Sequence, residues 1–393
     1  MFSRVRALCV CIVLWTFLGL AHSQNGAACK TRQGGDGNCM RRKFCKPLME
    51  AVGGDFKSKK NKEILLRWRC KRGILVCCPD FSSEDVYSRP PPSVTRHRNL
   101  RLLGQKNCGD YTEDRVFGGN KTGVIEFPWM ALISIDENDK RDFRCGGSII
   151  NERYILTAAH CVTGLSPGSS LVGVRVGEHD ISTEKDCEPG AGKPYCAPHY
   201  QDFAIKDVIS HPGYVGTKPA RNLELQNDIA LIRIDGKIKS EDNAQPICLP
   251  TYKAVQEMNL TSLNLTVAGW GRTNMDRQGN RVSSTWSQPS PDLLKAHLPV
   301  LSNRRCGQIF NGTLGDGISY KQMCAGGVKG VSSCGGDSGG PLVHLATTYN
   351  GIIRAVQYGI VSGGHAACGG KDSPAVFTRV AYYMDWILDN IKP

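Results

Sequence analysis

Short runs of β-branched and apolar residues, each ended by Gly, Asn or Pro, recur from residue 116 towards the carboxyl terminus. Residues 147–156 and 229–234 are two such runs. Regularly spaced short strands with turn signals between them predict an all-β barrel or sandwich. Residues 382–391 instead carry apolar side chains at helical spacing, which predicts a terminal helix.

The first 23 residues have the pattern of a secretory signal peptide. Arg4 and Arg6 precede an apolar run over residues 7–20, and residues 21–23 place small side chains at the positions that signal peptidase recognises. A membrane anchor needs about 20 unbroken apolar residues, which this run lacks. We therefore expect a secreted, extracellular protein without a membrane-spanning segment.

Secretion changes the interpretation of the cysteines and of the sequons. The sequence has 18 cysteines, and removal of the signal peptide with Cys9 and Cys11 leaves sixteen, an even number consistent with eight disulfides. Four Asn-x-Ser/Thr sequons become candidates for glycosylation, and we expect only some of them to be used. They are Asn120, Asn259, Asn264 and Asn311.

The formal net charge of +13 has two interpretations, a polyanion partner or a solvated basic surface. The basic residues are dispersed and include a basic connecting stretch, so we favour the solvated surface and expect no nucleic-acid partner.

Residues 29–78 contain six cysteines in a segment too short to bury a core of its own. Three disulfides are the favoured interpretation over a zinc site, and the spacing alone leaves fifteen pairings open. The cysteines are Cys29, Cys39, Cys45, Cys70, Cys77 and Cys78. The next stretch, from residue 79 to about 106, is rich in Pro, Ser and Arg, and it predicts an exposed, partly extended linker within a connecting region that runs to residue 115.

The sequence GDSGGP at residues 336–341 is the most informative stretch for chemistry. A serine hydroxyl is a poor nucleophile without a base, and the developing oxyanion needs donors already aimed at it. The glycines let the backbone bend so that the amides of Gly336 and Ser338 point to one spot. His160 and Asp228 lie upstream in short apolar motifs, and the order His, Asp, Ser is one of those used for a catalytic triad.

With these motifs in place, residues 116–393 resemble the chymotrypsin-like serine proteases over their whole length, including Gly-Trp-Gly at 269–271 and Ser-Gly-Gly at 362–364. The resemblance implies two antiparallel six-stranded β-barrels with the site between them. It makes Ser338 the nucleophile, His160 the general base and acid, and Asp228 the group that orients the imidazole. No cofactor is implied for catalysis.

The same resemblance implies disulfides in the protease region. It pairs Cys145 with Cys161, Cys306 with Cys324, and Cys334 with Cys368. Cys187 and Cys196 would then close a surface loop, and Cys108 and Cys248 would tether the amino-terminal part to the protease.

Residues 115–119, with the sequence RVFGG, resemble the activation site of this family. Cleavage after Arg115 would free the ammonium of Val116 to pair with the carboxylate of Asp337. A buried ion pair that is costly to leave half-made can order the neighbouring oxyanion loop. An ordinary exposed linker arginine is the alternative.

The cysteine spacing of residues 29–78 resembles the clip domain of arthropod clip-domain serine proteases. The resemblance implies the pairs Cys29 with Cys77, Cys39 with Cys70, and Cys45 with Cys78. Those enzymes are haemolymph precursors in cascades for melanization, prophenoloxidase activation or Toll-type signalling. The resemblance to this family implies three partners: a downstream zymogen or cytokine precursor as substrate, an upstream trypsin-like protease as activator, and a serpin as inhibitor. We favour a docking role for the clip segment over an inert spacer.

Ser332 stands six residues before the nucleophile, where proteases that cut after Arg or Lys need a carboxylate. A neutral pocket floor leaves a buried cation unpaired, so we expect selectivity for Tyr, Phe or Leu. Gly364 keeps one wall of the pocket open, and Ala375 narrows its far end against Trp. Gly363 stands where an aromatic residue is common in the family.

Glu178, in residues 177–180, resembles the start of the family's calcium loop, and we hold a calcium ligand and a surface salt bridge as equal interpretations. Two other functions remain as alternatives to a cascade endopeptidase. A non-catalytic clip-domain adaptor would not need an intact triad, and a digestive protease would not need a clip segment or a Cys108 to Cys248 tether.

Overall fold

A computed structural model describes most of the protease region and parts of the amino-terminal segment. The described residues are 28–30, 36–41, 70, 75–79, 90–104, 107–111, 122–190, 192–216, 225–273, 289–310, 318–329, 331–348, 351–364 and 373–393. The chain divides into two compact units, residues 1–89 and residues 90–393. Several predictions lie outside the described residues: the signal peptide, Arg115, Val116, Asn120, Asn311, Cys45 and Cys368.

The described part of the first unit is a three-stranded antiparallel sheet. Its strands are β1 Ala28–Lys30, β2 Asp36–Arg41 and β3 Leu75–Pro79, with β2 in the centre. Cys39 is bonded to Cys70, and Cys77 is also in a disulfide. The buried Val76 and Cys77 show that a short apolar strand and covalent links hold this small sheet together.

The second unit begins with a seven-stranded antiparallel sheet in the order β10-β7-β4-β5-β6-β12-β11. The strands of this half of the unit are β4 Met130–Glu137, β5 Lys140–Asn151, β6 Tyr154–Thr157, β7 Ser169–Val176, β8 Cys187–Glu188, β9 Tyr195–Cys196, β10 Gln201–Phe203, β11 Ile205–Ser210 and β12 Ala230–Ile234. β8 and β9 form a separate hairpin. Pairing of β6 with β12 in this sheet sets the positions of the loop after β6 and the loop before β12.

The remaining strands form a closed barrel in the order β13-β14-β15-β18-β17-β16. They are β13 Asn264–Gly269, β14 Leu294–Leu301, β15 Gln322–Gly326, β16 Pro341–Thr347, β17 Ile353–Gly364 and β18 Pro374–Arg379. The α-helices are α1 Lys253–Gln256, α2 Asn303–Ile309 and α3 Met384–Asn390, and a 3₁₀ turn Val380–Tyr383 precedes α3.

The all-β prediction is confirmed, and so is a helix near the carboxyl terminus. The expectation of two six-stranded barrels is confirmed, and the second half closes with six strands. In the first half, β10 and β11 are two parts of one strand that is interrupted only at Ala204, with β10 paired to β7 and β11 paired to β12. This one strand therefore joins the two ends of the sheet, as a six-stranded barrel requires.

The prediction of an exposed linker holds only in part for residues 90–104, where Arg96, Arg98 and Arg101 are exposed but two apolar side chains are buried. Val94 and Leu103 are each 2% exposed and belong to the same hydrophobic cluster as Trp129 and Ile149. The Pro-rich composition hid two apolar residues that pack on the protease unit, so this stretch is part of that unit.

Five disulfides are described with both partners. They are Cys39–Cys70, Cys108–Cys248, Cys145–Cys161, Cys187–Cys196 and Cys306–Cys324. Cys334 is also disulfide-bonded.

Among the helices of the described ranges, none is both long and apolar enough to cross a membrane.

Candidate active site

Pairing of β6 with β12 brings His160 and Asp228 together. These neighbours are antiparallel, with Thr157 opposite Ala230, so the end of β6 lies beside the start of β12. His160 follows β6 in a 3₁₀ turn, Ala159–Cys161, and Asp228 lies two residues before β12. Nδ1 of His160 is 2.7 Å from Oδ2 of Asp228.

The carboxylate of Asp228 is enclosed and held by several donors. Its side chain is 0% exposed, whereas that of His160 is 29% exposed and reaches the cleft. The backbone N–H of His160 donates to Oδ1 at 2.9 Å, and the hydroxyl of Ser362 donates to Oδ2 at 2.6 Å. The hydroxyl of Thr378 donates to the backbone carbonyl at 2.8 Å. These bonds fix the direction of the carboxylate and hence of the imidazole.

Asn227, directly before this aspartate, was not singled out from the sequence. Its φ of +56° lies in the left-handed region, which Asn tolerates better than most residues. Oδ1 accepts from the hydroxyl of Tyr383 at 3.1 Å, and Nδ2 donates to the carbonyl of Gly213 at 3.0 Å. The Ile229 N–H donates to the Asn227 carbonyl at 2.9 Å. Asp228 is therefore the middle residue of a tight, clamped turn.

Ser338 lies in the turn before β16 of the closed barrel, and this turn contacts β5 of the seven-stranded sheet. Its carbonyl accepts from the N–H of Gly146 at 2.8 Å. Gly339 has a φ of +79°, and a β carbon there would lie 2.2 Å from Oγ1 of Thr157. A larger residue would push the turn away from the His160 segment, so the glycine that follows Ser338 is required for the close approach.

The carboxylate of Asp337 lies in a cradle of backbone amides. Oδ1 accepts from the N–H of Gly271 and Oδ2 from that of Cys334, each at 2.8 Å. A β carbon on Gly269 would lie 2.1 Å from Oδ1, and one on Gly271 would lie 2.5 Å from either oxygen. Burial raises the pKa of Asp337 to about 6, and the two amide bonds oppose that rise. The Gly-Trp-Gly motif is thus the wall of this cradle.

The three predicted pocket residues come from neighbouring segments. Gly364 on β17 lies opposite Ala375 on β18 in the strand register. Ala375 is buried, Gly364 is exposed, and Ser332 is half-buried in the loop before the nucleophile. The strand register thus places Gly364 and Ala375 side by side, and the role of these residues and of Ser332 in a substrate pocket stays a prediction.

Leu225 is the residue that lies beside Gly363. A β carbon on Gly363 would be 2.8 Å from Cδ2 of Leu225. The Leu225 carbonyl accepts from Nε2 of Gln322 at 2.9 Å, which fixes its backbone. The space next to Gly363 is therefore filled by a leucine three residues before Asp228. Sequence reasoning identified the glycine but not the residue that fills this space.

Glu178 has an acidic neighbour that the sequence did not identify. Its side chain is 1% exposed and forms a salt bridge to Arg175, with Nη1 3.1 Å from Oε2. Asp186 shares the backbone N–H of His179 with Glu178, each acceptor at 2.9 Å. Burial and the charge of Asp186 raise the pKa of Glu178 to about 7. Glu178 thus forms a salt bridge, but a buried one and not the expected surface pair, and the calcium interpretation stays a prediction for which the paired carboxylate oxygens are suitable ligands.

Two of the sequons lie in the described ranges. Asn259 and Asn264 are both exposed, and Oδ1 of Asn259 accepts from the N–H of Thr261 at 3.0 Å.

Comparisons with known proteins agree with both units. The family model described as Trypsin matches residues 116–387, and the model described as Regulatory CLIP domain of proteinases matches residues 29–78. Melanization protease 1 of Drosophila melanogaster is 35% identical over 388 residues, which cover 93% of this chain and 93% of that protein. Phenoloxidase-activating factor 1 of Holotrichia diomphalia is 36% identical over 393 residues, which cover 97% and 98%.

A solved structure is similar as well. The Drosophila Grass clip serine protease of the Toll pathway matches with a TM-score of 0.59 and 30% identity, over 93% of this chain and 97% of that chain.

Proposed function

Because the chain belongs to the clip-domain serine proteases, with a protease domain of the trypsin family, we propose that it is the secreted precursor of a cascade endopeptidase activated by cleavage after Arg115. It is a serine endopeptidase, and enzymes of this kind need no cofactor. The observation that carries the proposal is the enclosed His160–Asp228 pair at 2.7 Å, next to the Ser338 turn.

In this mechanism the hydroxyl of Ser338 attacks the carbonyl carbon of the scissile peptide bond, and Nε2 of His160 takes its proton. Asp228 holds the tautomer in which Nδ1 carries the hydrogen and stabilises the imidazolium. The N–H groups of Gly336 and Ser338 bind the oxyanion. The imidazolium then gives its proton to the leaving amine, and water hydrolyses the acyl-enzyme by the same steps in reverse.

The pocket selects large apolar or aromatic residues on the amino side of the cut. Ser332 offers no charge to a buried Lys or Arg, and an unpaired buried cation costs several kcal/mol. Tyr, Phe and Leu are preferred over Trp because the Ala375 methyl group lies at the far end of the pocket.

The pocket and the activation site together imply activation by another enzyme. The activating bond follows Arg115, which the neutral pocket refuses, so a separate trypsin-like protease makes the cut. The new ammonium of Val116 pairs with Asp337, whose raised pKa of about 6 reflects a buried carboxylate without a cation among its described partners. The pair orders the loop that carries the oxyanion donors.

The cascade role is supported by the relatives named for melanization and phenoloxidase activation. The substrate is a downstream zymogen or cytokine precursor, and a serpin is the inhibitor. The protein acts in the extracellular fluid, where Asn259 and Asn264 carry glycans on exposed positions.

Glu178 and Asp186 are the residues that would hold a structural calcium ion. The fit rests on two carboxylates that share one backbone N–H while only Glu178 is paired with Arg175. A bound ion would neutralise their mutual repulsion and stabilise the loop before the Cys187–Cys196 hairpin, with no part in the chemistry.

The direct test uses the purified precursor, cut after Arg115 by trypsin that is then removed, with the Val116 amino terminus verified by sequencing. A peptide library should show cleavage after Tyr, Phe and Leu, and Ser338→Ala should abolish turnover without changing folding or the activating cut. Preference for Arg or Lys would contradict the pocket assignment. Equal turnover by the Ser338→Ala protein would contradict the triad.

A further inference from the structure

Residues 90–104 and 107–111 lie against the protease domain, before and around Cys108, which is bonded to Cys248. Upstream of Cys108, Val94 and Leu103 are each 2% exposed, and they belong to the hydrophobic cluster that also contains Ile149. Leu100 and Leu102 pack against the same cluster. A merely tethered linker would leave these side chains in water, so this stretch is held by its own apolar contacts.

Polar contacts join the same stretch to the end of α3. The side-chain amide of Asn99 donates to the carbonyl of Leu388 at 2.8 Å and to that of Ile391 at 3.3 Å. Nε2 of His97 is 3.0 Å from Oδ1 of Asp389. The last carbonyls of a helix have no partner within the helix, and Asn99 supplies one. The linker therefore caps the final helix of the protease.

Backbone pairing follows on the other side. The N–H of Gly109 donates to the carbonyl of Pro246 at 2.8 Å, and the Gly109 carbonyl accepts from the N–H of Ala355 at 2.9 Å. Gly109 has a φ of +62°, and a β carbon there would lie 2.2 Å from the Ala355 carbonyl oxygen. Asp110 forms an ion pair with Arg354.

We propose that residues 90–104 and 107–111 form a non-covalent anchor that keeps the amino-terminal part bound to the protease domain after activation, with or without the Cys108–Cys248 disulfide. This inference rests on the proposed cut after Arg115. Both cysteines of the disulfide are 3% exposed, so the anchor also shields the covalent link from solvent thiols. The partner surface consists of Asn151, whose side-chain amide donates to the Leu102 carbonyl at 3.1 Å, the carbonyl end of α3, and the Pro246 and Ala355 backbone.

The test uses the full-length Ser338→Ala protein with Cys108→Ser and Cys248→Ser, so that neither self-digestion nor the disulfide contributes. After trypsin cleavage, the Val116 terminus and two bands on a non-reducing denaturing gel establish the cut. On native gel filtration the two pieces should still elute together. Separate elution of folded pieces would overturn the anchor.

Matched variants assign the binding to particular contacts. Leu103→Ala should increase the dissociation rate of the pieces by roughly 30-fold or more, since loss of a buried leucine side chain has an effect of that order. Asn99→Ala should give a smaller increase of roughly fivefold. Arg98→Ala, an exposed position in the same segment, should leave the rate unchanged. Equal rates for all three variants would contradict the assigned contacts.

Hydrogen exchange on the uncut protein tests the anchor independently of the proposed activation cut. The amides of Leu103 and Gly109, which donate to Leu100 and Pro246, should exchange as slowly as those of the neighbouring sheet. Fast exchange would overturn the anchor even if the cut occurs. Slow exchange together with failure to release a Val116 terminus would instead reject the activation site alone.

Discussion

Asp228 and Asp337 are two buried carboxylates of the protease domain with different surroundings. Asp228 accepts hydrogen bonds from the ring and backbone of His160 and from the hydroxyl of Ser362. Asp337 accepts from the backbone amides of Gly271 and Cys334, and burial raises its pKa to about 6. The uncut chain thus provides Asp228 with a partner that can carry a positive charge, whereas the described contacts of Asp337 are backbone amides.

We interpret the difference as a separation between the proposed catalytic pair and the proposed activation switch. Pairing of β6 with β12 is enough to join Asp228 to His160, so that part of the site forms when the sheet forms. The cation proposed for Asp337 comes from a new chain end, which only a cut can create. Asp228 therefore has its proposed cationic partner, His160, in the folded precursor, whereas Asp337 would gain its partner only after cleavage.

The largest expected effect comes from Asp228→Asn. An amide cannot stabilise the imidazolium or hold the required tautomer of His160, so kcat of the activated enzyme should fall about 10⁴-fold. The KM should change little, because Asp228 does not line the pocket. Activity measurements on the activated variant, with circular dichroism as a control for folding, check this. A loss below tenfold would remove Asp228 from the catalytic role.

Asp337→Asn should have the next largest effect. Without its carboxylate the Val116 ammonium has no counter-charge, and the loss of oxyanion donors is worth roughly 10²- to 10³-fold in kcat. The cut after Arg115 should proceed at the normal rate because that bond is recognised by another enzyme. Comparison of cleavage rate with kcat distinguishes the two steps, and normal kcat in the cut variant would contradict the switch.

Loss of the Asn227 side chain and its hydrogen bonds should lower kcat to a degree that depends on the residue that replaces it. Asn227→Ala removes both side-chain hydrogen bonds and keeps a β carbon in the left-handed region, where it costs roughly 1–2 kcal/mol relative to glycine, so it should lower kcat about tenfold. Asn227→Gly loses the same hydrogen bonds but tolerates the backbone, so its kcat should fall less than threefold. Equal kcat values for the two variants would show that the left-handed backbone does not aim Asp228.

The smallest effect is expected at the loop of Glu178. Calcium should raise the melting temperature of the protein by about 3 °C, and Glu178→Gln should abolish the shift. Glu184→Gln is the matched control, because that side chain is 86% exposed in the same loop. A shift that survives in Glu178→Gln would place the ion elsewhere.

The triad could be proposed from the sequence because each member lies in a short motif with its own chemistry, and the order of the motifs restricts the fold. The structure brings His160 and Asp228 together, and the catalytic role of the three residues stays a prediction. The residues that hold or pack against the predicted site residues could not be predicted in this way. Asn227, Leu225 and Asp186 act through contacts set by strand pairing and loop closure, and nothing local in the sequence distinguishes them. The packing of residues 90–104 on the protease unit was not predicted, because the Pro- and Arg-rich composition of the stretch gave no weight to two single apolar residues, Val94 and Leu103.

The central claim is that Asp337 is a charge switch completed by Val116, and pH-dependent stability tests it most directly. In the precursor, the pKa of about 6 lies above the value of about 3.9 for an unfolded aspartate. The folded precursor therefore binds the proton more tightly, and this contribution to stability, up to about 3 kcal/mol, is present below pH 4 and lost as pH rises to about 6. Pairing with the ammonium should lower the pKa and reverse the slope.

The measurement is urea unfolding of the Ser338→Ala protein between pH 4 and pH 7, before and after the cut at Arg115, with Asp337→Asn as the reference. Relative to that reference, the account predicts that the free energy of unfolding falls with rising pH in the precursor and rises with pH in the cut protein. Parallel pH profiles before and after cleavage would contradict it.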